Sequence, residues 1–311
     1  MKALVIKSTG SFASVRTSDG QFLDCRVKGI FRKDGGLRTT NPVAVGDRVT
    51  ISTAGIGETP WITEIEDRDN YLIRKSINLS KEAHVLAANI DRAYVLATLH
   101  SPRTSMGFID RVLLTCEAYH IPAAVVINKA DLYRENEKDL DLLAQYVDVY
   151  KSAGYPVFVV SALDGLNIDE LKKDMLGKIC LFAGHSGSGK SSLINRICPD
   201  LKLRTGSISD AHNKGKHTTT FAELHEILPD TFIIDTPGVK EFGVIDMDKT
   251  EMRHYFKEFH RFSGQCKFNN CMHLNEPGCA IRTAVEDGLI SGERYSSYLG
   301  LLSSEELNKT Q

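Results

Sequence analysis

The sequence lacks any apolar run long enough to cross a membrane. Its first eight residues contain neither the long apolar segment nor the cleavage site of a secretory signal. We therefore expect the chain to remain in the cytoplasm without a membrane partner, where its seven cysteines stay reduced. An odd number of cysteines also argues against a framework in which every cysteine is paired in a disulfide.

The chain also has no large excess of charge of either sign. Its formal net charge is -2 over 311 residues, so overall basicity does not predict a nucleic-acid partner, although a basic face can still exist locally. Hydrophobic residues make up 42% of the chain and charged residues 25%, which is typical of a globular protein. At this length we expect two or three domains, each with its own core.

Residues 1–70 alternate short β-like runs with turns, which predicts a small β-barrel. The runs at 3–6, 12–15, 22–27 and 48–52 show no helical periodicity. A group of basic residues falls in this part of the chain, namely Arg26, Lys28, Arg32, Lys33 and Arg38. These side chains can contact a phosphate backbone, or they can form a solvated face of the barrel, and the residues alone leave both interpretations open.

From about residue 71 the pattern changes to alternating strands and helices, which predicts an α/β domain that extends to residue 243. The expected strands are at 92–97, 123–127, 156–160, 179–183, 221–228 and 231–234, and several of them are apolar enough to be buried parallel strands. Amphipathic spacing predicts helices at 108–119, 140–150 and 168–175.

A third domain is predicted at 244–311, where the strands end and helical patterns replace them. We expect helices at 252–262, 281–288 and 292–302. The fold class predicted for the whole chain is therefore multi-domain α/β, with a β-barrel first, an α/β sheet in the centre and a helical domain last.

A phosphate-binding loop is the clearest chemical motif in the chain. Residues 184–191 match the pattern G-x-x-x-x-G-K-[ST], between an expected strand and a helix at 192–198. Its glycines let backbone N–H groups turn toward a phosphate, Lys190 reaches the terminal phosphates and assists catalysis, and Ser191 ligates Mg²⁺. The predicted phosphate-site residues are Gly184, His185, Ser186, Gly187, Ser188, Gly189, Lys190, Ser191 and Ser192.

A second motif indicates that the nucleotide bound at the phosphate loop carries guanine as its base. The tetrapeptide Asn128, Lys129, Ala130 and Asp131 directly follows an expected strand. The Asp131 carboxylate can accept hydrogen bonds from N1–H and the 2-amino group of guanine, which adenine does not offer. Ser161 and Ala162, which close the next strand, are expected to support the same base. An ATP-using kinase or transporter ATPase is the alternative that Asp131 opposes.

A third motif, at residues 235–238, predicts the magnesium and γ-phosphate contacts. Asp235 ends an expected strand and can hold Mg²⁺ through water, and the Gly238 N–H can meet a γ-phosphate. A magnesium-ligating threonine is needed between this motif and the phosphate loop. We choose Thr219 for that role, with Thr218 as the alternative. The predicted Mg²⁺ site therefore comprises Ser191, Thr219 and Asp235.

These motifs resemble those of the translation-factor class of GTPases, but in a rearranged order. In that class the phosphate loop comes first and the base-reading motif late, whereas here Asn128 and Ser161 precede Gly184. The sequence therefore resembles a circularly permuted GTPase. Permutation preserves the site in space, because the termini of such domains lie close together on the surface.

The cysteines cluster near the end of the chain, where they predict a metal site. Cys266, Cys271, His273 and Cys279 supply three thiolates and one imidazole, which is a closed tetrahedral set for one structural Zn²⁺ ion. The alternative is a group of unpaired cysteines beside a coincidental histidine.

Taken together, the barrel, the permuted motifs and the cysteine cluster resemble the RsgA family of small ribosomal subunit biogenesis GTPases. The resemblance covers essentially the whole chain. Its most specific parts are residues 42–47, 128–131, 184–192, 217–219, 235–238 and 266–280. It implies an N-terminal OB-fold, a central circularly permuted GTPase domain and a C-terminal zinc-binding domain. It also implies late maturation of the small ribosomal subunit, contact with its rRNA, and GTP hydrolysis that the subunit stimulates.

One residue departs from the usual GTPase pattern. Many GTPases carry a glutamine after the Asp-x-x-Gly motif to orient the attacking water, whereas this chain has Val239. His217 is the nearest polar candidate on the polar span at 204–217, which is predicted to be a switch, and the family resemblance supports it as the catalytic residue. An asparagine-assisted K⁺ site is opposed by Gly187. We expect a monomer that hydrolyses GTP to GDP; the alternative is a GTP-gated rRNA-binding module in which hydrolysis only resets binding.

Overall fold

The computed structural model describes residues 1–28, 31, 41–52, 58–75, 83–201, 222–235 and 248–303. Its N-terminal part is a small closed β-barrel. The strands are β1 (Lys2–Ser8), β2 (Phe12–Thr17), β3 (Phe22–Val27), β4 (Arg48–Ile51) and β5 (Trp61–Ile65). They pair in the order β1-β2-β3-β5-β4, and β4 returns to β1, so the described strands form a ring that leaves few open edges.

The barrel follows the sequence analysis except at β5, which was not predicted. Alternate residues of β1 and β2, such as Val5, Ala13 and Val15, fill the interior. In β5 only Ile62 is fully buried, whereas Trp61 is exposed. The alternation that reveals a strand is therefore too weak there to be recognised from sequence.

A two-stranded antiparallel hairpin follows the barrel and was also not predicted. It consists of β6 (Tyr71–Lys75) and β7 (Ala83–Ala88). A bridge from Ala87 to Val45 and a hydrogen bond of 2.9 Å from the Asn89 amide to the carbonyl of Gly46 join this region to the segment before β4. The hairpin is thus joined to the segment of the barrel that precedes β4.

The central part is an α/β domain, as predicted. Its elements are β8 (Arg92–Ala97), α1 (Met106–Ala118), β9 (Ala123–Ile127), α2 (Glu137–Ser152), β10 (Val157–Val159), α3 (Ile168–Met175), β11 (Ile179–Gly184), α4 (Lys190–Ile197), β12 (Glu223–Leu228) and β13 (Thr231–Asp235). The sheet order is β10-β9-β8-β11-β13-β12, in which only the β12–β13 pair is antiparallel.

Buried side chains on both faces of this sheet explain why its strands are almost wholly apolar. Val95 of β8 belongs to the core on one face, with residues of α1 and α2. Leu96, the next residue, belongs to the core on the other face, with residues of α3 and α4. Strands buried on both faces lose the polar alternation of a half-exposed strand.

The barrel docks against the β12 edge of the sheet through charged pairs. Lys7 of β1 pairs with Glu223 of β12, and their side chains form an ion pair of 2.9 Å. Arg16 of β2 contacts Glu226 at 3.3 Å and Asp230 at 2.9 Å. These two basic side chains of the barrel are therefore engaged by the α/β domain.

The C-terminal part is helical, with one correction to the prediction. Its helices are α5 (Lys249–Met252), α6 (Ala280–Glu286) and α7 (Gly292–Ser303). The segment predicted as a helix at 252–262 instead forms short 3₁₀ turns, interrupted where Phe256 is extended. Phe256 and Phe259 are three residues apart and both buried, and a spacing of three matches the 3₁₀ repeat. Among the helices that the structure describes, none has the length and hydropathy of a membrane span.

Candidate functional site

The phosphate loop leaves the middle of the central sheet. β11 has parallel neighbours on both sides, β8 and β13, and the loop follows its last residue, Gly184. Gly189 caps α4 in the left-handed conformation, with a φ of 89°. The N-terminus of α4 therefore presents backbone N–H groups and positive potential at the carboxyl edge of the sheet, which is where an anion binds in such folds.

Two glycines of the loop are required by close contacts with other segments of the site. A Cβ atom on Gly184 would lie 2.7 Å from the carbonyl oxygen of Leu96. A Cβ atom on Gly189 would lie 2.4 Å from Nδ2 of Asn128. Any larger residue at either position would push the loop away from the end of β8 or from the base-reading motif.

Lys190 lies against the backbone of the loop. Its ammonium group donates to the carbonyl of Gly184 at 2.5 Å and to that of His185 at 2.8 Å. Burial, and then the positive charge of Lys190, lower the pKa of His185. The His185 imidazole is therefore neutral at physiological pH and stacks on the ring of Phe108, with ring centroids 3.8 Å apart.

Asn128 brings the predicted base-reading motif and the phosphate loop together. This residue follows β9 and is 1% exposed. Its Nδ2 donates to the carbonyl of Ser188 at 3.0 Å, and its Oδ1 accepts from the backbone N–H of Ala162 at 3.2 Å. One side chain thus connects three segments that were each predicted to contact a nucleotide.

The remaining residues of the base-reading motif are held by further hydrogen bonds. Lys129 has a left-handed backbone, and its ammonium group donates to the carbonyls of Gly187, at 2.9 Å, and Ser101. Asp131 accepts a hydrogen bond of 2.6 Å from the hydroxyl of Ser161, which orients the carboxylate. The predicted cluster of base-reading residues is therefore assembled around one edge of the sheet.

Asp235 lies at the same edge. It is the exposed last residue of β13, which is parallel to β11 and directly beside it. Ser191, in the first turn of α4, supplies a hydroxyl near the same edge. Carboxylate and hydroxyl oxygens are ligands that Mg²⁺ prefers, so the residue types at this edge are those of the predicted magnesium site, which stays a prediction.

Several predicted residues lie outside the described part of the chain. In the nucleotide site these are His217, Thr218, Thr219, Gly238 and Val239, and in the barrel they are Arg32, Lys33 and Arg38. Their roles remain predictions.

Tyr133 belongs to the site but was not found by sequence analysis. Its hydroxyl donates to the carbonyl of Asn128 at 2.8 Å and accepts from the backbone N–H of Leu99 at 3.0 Å. It therefore fixes the backbone on which the base-reading motif sits. A buried tyrosine needs a partner for its hydroxyl, but the sequence does not indicate which one.

The cysteine cluster is a second, separate site that can hold a metal ion. The ligand atoms of Cys266, Cys271, His273 and Cys279 all lie within 4.8 Å of one another. The Sγ atoms of Cys266 and Cys279 are 3.7 and 3.4 Å from Nδ1 of His273. Ligands around a tetrahedral zinc ion are separated by about 3.5–3.8 Å. The two distances to His273 are close to these values, and three thiols with one imidazole are a donor set that can hold a metal ion.

Hydrogen bonds to the backbone hold the ligand loop in shape. The Tyr295 hydroxyl donates to the carbonyl of His273, and the Tyr298 hydroxyl to that of Met272, each at 2.6 Å. Glu276 accepts from the backbone N–H groups of Met272 at 2.7 Å and Leu274 at 2.8 Å. These contacts order the loop around His273, which has a φ of 61°.

Burial keeps two of the ligands neutral. It lowers the pKa of His273 to about 4 and raises the pKa of Cys271 to about 12. A neutral imidazole can donate its lone pair to a metal at physiological pH, whereas the thiol must lose its proton when a cation binds.

Comparison with known families assigns both the barrel and the α/β domain. The family described as "RsgA GTPase" matches residues 65–245, and the one described as "RsgA N-terminal domain" matches residues 2–59. The first match alone spans more than half of the chain.

Curated relatives match over nearly the full length. A protein of Bacteroides thetaiotaomicron named "Small ribosomal subunit biogenesis GTPase RsgA 2" is 54% identical over 309 residues, covering 99% of this chain and 98% of the relative. A protein of Flavobacterium psychrophilum named "Small ribosomal subunit biogenesis GTPase RsgA" is 46% identical, covering 98% and 94%.

Solved structures share the fold. YjeQ from Thermotoga maritima is 32% identical, with a TM-score of 0.79, and the match covers 100% of this chain and 99% of that one. YloQ, described as a circularly permuted GTPase, is 27% identical, with a TM-score of 0.76 and coverages of 100% and 96%. The predicted fold class, including the permuted order of motifs, is confirmed.

Proposed function

The chain belongs to the RsgA family of GTPases, and we propose that it binds the small ribosomal subunit and hydrolyses GTP to GDP and phosphate during late maturation of that subunit. Asn128 carries the nucleotide half of this proposal, because its hydrogen bonds to Ser188 and Ala162 join the base-reading and phosphate-binding segments into one site. We also propose that the chain acts as a monomer. A partner of ribosomal subunits would work in the cytoplasm.

In the proposed complex, guanine lies between the base-reading motif and the end of β10. Asp131, oriented by Ser161, accepts from N1–H and the 2-amino group of the base. The Ala162 N–H and Asn128 approach its other edge, and the stem of Lys129 covers the ring. Adenine offers neither donor, so with adenine bound the Asp131 carboxylate would remain unpaired. The free-energy cost of that unpaired carboxylate selects guanine over adenine.

The phosphates lie over the loop from Gly184 to Ser192. Lys190 turns from the loop carbonyls to the terminal phosphates, whose charge it stabilises as they separate. Ser191, Asp235 and Thr219 would hold Mg²⁺, which supplies positive charge to the phosphate oxygens. The Gly238 N–H contacts the γ-phosphate.

Hydrolysis needs a residue that orients the attacking water. The Val239 side chain has no polar group, and His217, in the segment between the phosphate loop and Asp235, is the polar candidate that the family resemblance supports. We assign to His217 the role of orienting the attacking water. GTP turnover should be slow until the ribosomal subunit stabilises His217 in the position that this role requires.

An exposed row of side chains on the barrel supports contact with rRNA. Phe12, Arg26 and Trp61 are cross-strand neighbours on β2, β3 and β5, and we call them the aromatic row. Phe12 is 49% exposed and Trp61 39%, and the Arg26 guanidinium lies 5.6 Å from the centre of the Trp61 ring. Aromatic rings beside a cation are a surface on which unpaired bases stack.

We propose Zn²⁺ as the metal of the cysteine cluster, one ion per chain, with a structural role. Four protein ligands complete a tetrahedron and leave no open position for a substrate.

The decisive experiment measures GTP turnover with and without purified small ribosomal subunits, together with co-sedimentation of the protein and the subunits. Faster turnover and co-sedimentation are expected. If the subunits neither stimulate turnover nor carry the protein into the pellet, the ribosomal assignment fails while the nucleotide site stands. A Lys190→Ala protein that still fully supports subunit maturation would instead favour a GTP-gated binding module.

A further inference from the structure

Helix α1 contacts the phosphate loop at its N-terminal end. Phe108, in its first turn, stacks on His185, the second residue of the loop, with 31° between the ring planes. Lys129 also bridges the segment before α1 and the loop, because it donates to carbonyls of both Ser101 and Gly187. The start of α1 and the phosphate loop therefore form one packed unit.

The opposite side of α1 is bound to the C-terminal helical part. Asp110 is two positions after Phe108, which places it about 200° further around the helix. Its Oδ1 accepts a hydrogen bond of 2.6 Å from Nη1 of Arg294 on α7. The same guanidinium binds both carboxylate oxygens of Glu258, at 2.7 and 3.0 Å.

This ion cluster is deeply buried. Arg294 is 2% exposed, Asp110 1% and Glu258 2%. If buried ionic partners separate, each charge is left unpaired in the protein interior, which solvates it poorly. Breaking the contact therefore costs much free energy. Because of this, α7 and the 3₁₀ turn that carries Glu258 cannot easily shift without moving α1.

The ion cluster also continues to the metal site. Phe259, the residue after Glu258, packs edge-on against the ring of the ligand His273, with centroids 5.6 Å apart. Leu114, one turn after Asp110 on the same face of α1, belongs to the buried cluster that includes Cys271 and Cys279. An unbroken chain of contacts thus runs from the metal ligands to His185.

We propose that α1 is a rigid link that couples the phosphate loop to the metal centre, with Phe108 as the positioning residue on the side that faces the loop and Asp110 as the positioning residue on the side that faces α7. The coupling rests on the proposed function, because it needs a guanine nucleotide at the loop and a metal at the cysteine cluster. Nucleotide binding holds the loop and the start of α1, and through Arg294 it tightens the structure around the ligands. Linkage requires the reverse effect as well.

The test measures how fast zinc passes from the full-length protein to a chromophoric chelator, with and without saturating GDP. We expect GDP to slow release by about fivefold or more in the wild type. In Phe108→Leu, the ratio of the zinc-release rate without GDP to the rate with saturating GDP should fall close to one. Phe22→Leu, the same change on the exposed face of the barrel, should keep the wild-type ratio.

A second variant tests the side of α1 that faces α7. Asp110→Asn keeps an acceptor for Arg294 but removes the charge, and it should also reduce the ratio, whereas the exposed Asp230→Asn should not. If Asp110→Asn does not fold, Phe108→Leu still decides the matter.

Two kinds of failure are distinguishable. Wild-type protein that binds no GDP or purifies without metal would overturn the proposed function, and the coupling with it. Wild-type protein that binds both but shows equal release rates, or a Phe108→Leu protein with an unchanged ratio, would overturn the coupling alone.

Discussion

The side-chain amide of Asn128 donates a hydrogen bond of 3.0 Å to the backbone carbonyl of Ser188, sixty residues later in the chain. Gly189, next to Ser188, approaches the same amide so closely that a Cβ atom there would lie 2.4 Å from it. The base-reading motif and the phosphate loop are therefore packed directly against each other, and the loop has no room for a side chain at this point.

We expect Gly189→Ala to abolish measurable GTP binding, because the new methyl group would collide with Asn128 and displace the loop. Gly177→Ala is the matched control: its φ of 70° is also left-handed, but a Cβ atom there meets nothing within 4 Å. Both variants should lose about 1–2 kcal/mol of stability from backbone strain. Calorimetric GTP titrations distinguish them, and equal affinities would contradict the prediction.

Asp131→Asn should weaken GTP binding by about tenfold to a hundredfold, because the carboxylate accepts charge-assisted hydrogen bonds that an amide cannot replace. The amide can donate to the 2-oxo group of xanthine, so affinity for XTP should rise. Titrations with both nucleotides measure the change. Ser161→Ala, which removes only the hydroxyl that orients Asp131, should have a smaller effect, and an unchanged preference for GTP in Asp131→Asn would count against the assignment.

His217→Ala should reduce subunit-stimulated GTP turnover by at least about a hundredfold, because no other polar group is proposed to orient the water. Its affinity for GTP should remain nearly that of the wild type, since the imidazole is not proposed to bind the ground state. Single-turnover hydrolysis with saturating subunits separates these quantities. Equal stimulated rates in mutant and wild type would remove His217 from the mechanism.

Cys279→Ala should reduce the bound zinc from about one ion per chain to nearly none, because three ligands hold the ion much less tightly than four. The C-terminal helices should then become sensitive to protease, since the ligand loop lies in their shared core. Cys198→Ala, a partly buried cysteine outside the cluster, is the control and should keep its metal. Elemental analysis gives the answer, and full zinc content in Cys279→Ala would refute the ligand set.

Trp61→Ala should weaken binding to small subunits by roughly tenfold, which is the cost of losing about one stacked base. GTP affinity should not change, because the aromatic row lies on the barrel and away from the phosphate loop. Phe22 is an exposed aromatic residue on β3 outside the aromatic row, and Phe22→Ala should bind the subunits as the wild type does. Co-sedimentation over a range of subunit concentrations tests this expectation, and indistinguishable curves for wild type and Trp61→Ala would rule out the aromatic row as a contact.

The sequence alone determined the parts of this protein whose chemistry is local. The glycines, Lys190 and Ser191 stand in one short segment because a phosphate loop is built from consecutive backbone groups. The cysteine cluster is visible for the same reason, since its four ligands fall within fourteen residues. Continuous apolar runs revealed β8, β9 and β11, because strands buried on both faces have no polar alternation to obscure them.

Only the tertiary structure decided which distant residues meet. Strand β5 and the hairpin of β6 and β7 form through pairing with other strands, so local periodicity does not reveal them. The 3₁₀ turns around Phe256 follow the packing of its ring rather than helix propensity. Phe108 contacts His185, which is 77 residues later in the chain. Asp110 contacts Arg294, which is 184 residues later. Such contacts depend on the arrangement of whole helices, and that arrangement is decided by the burial of both faces of the central sheet.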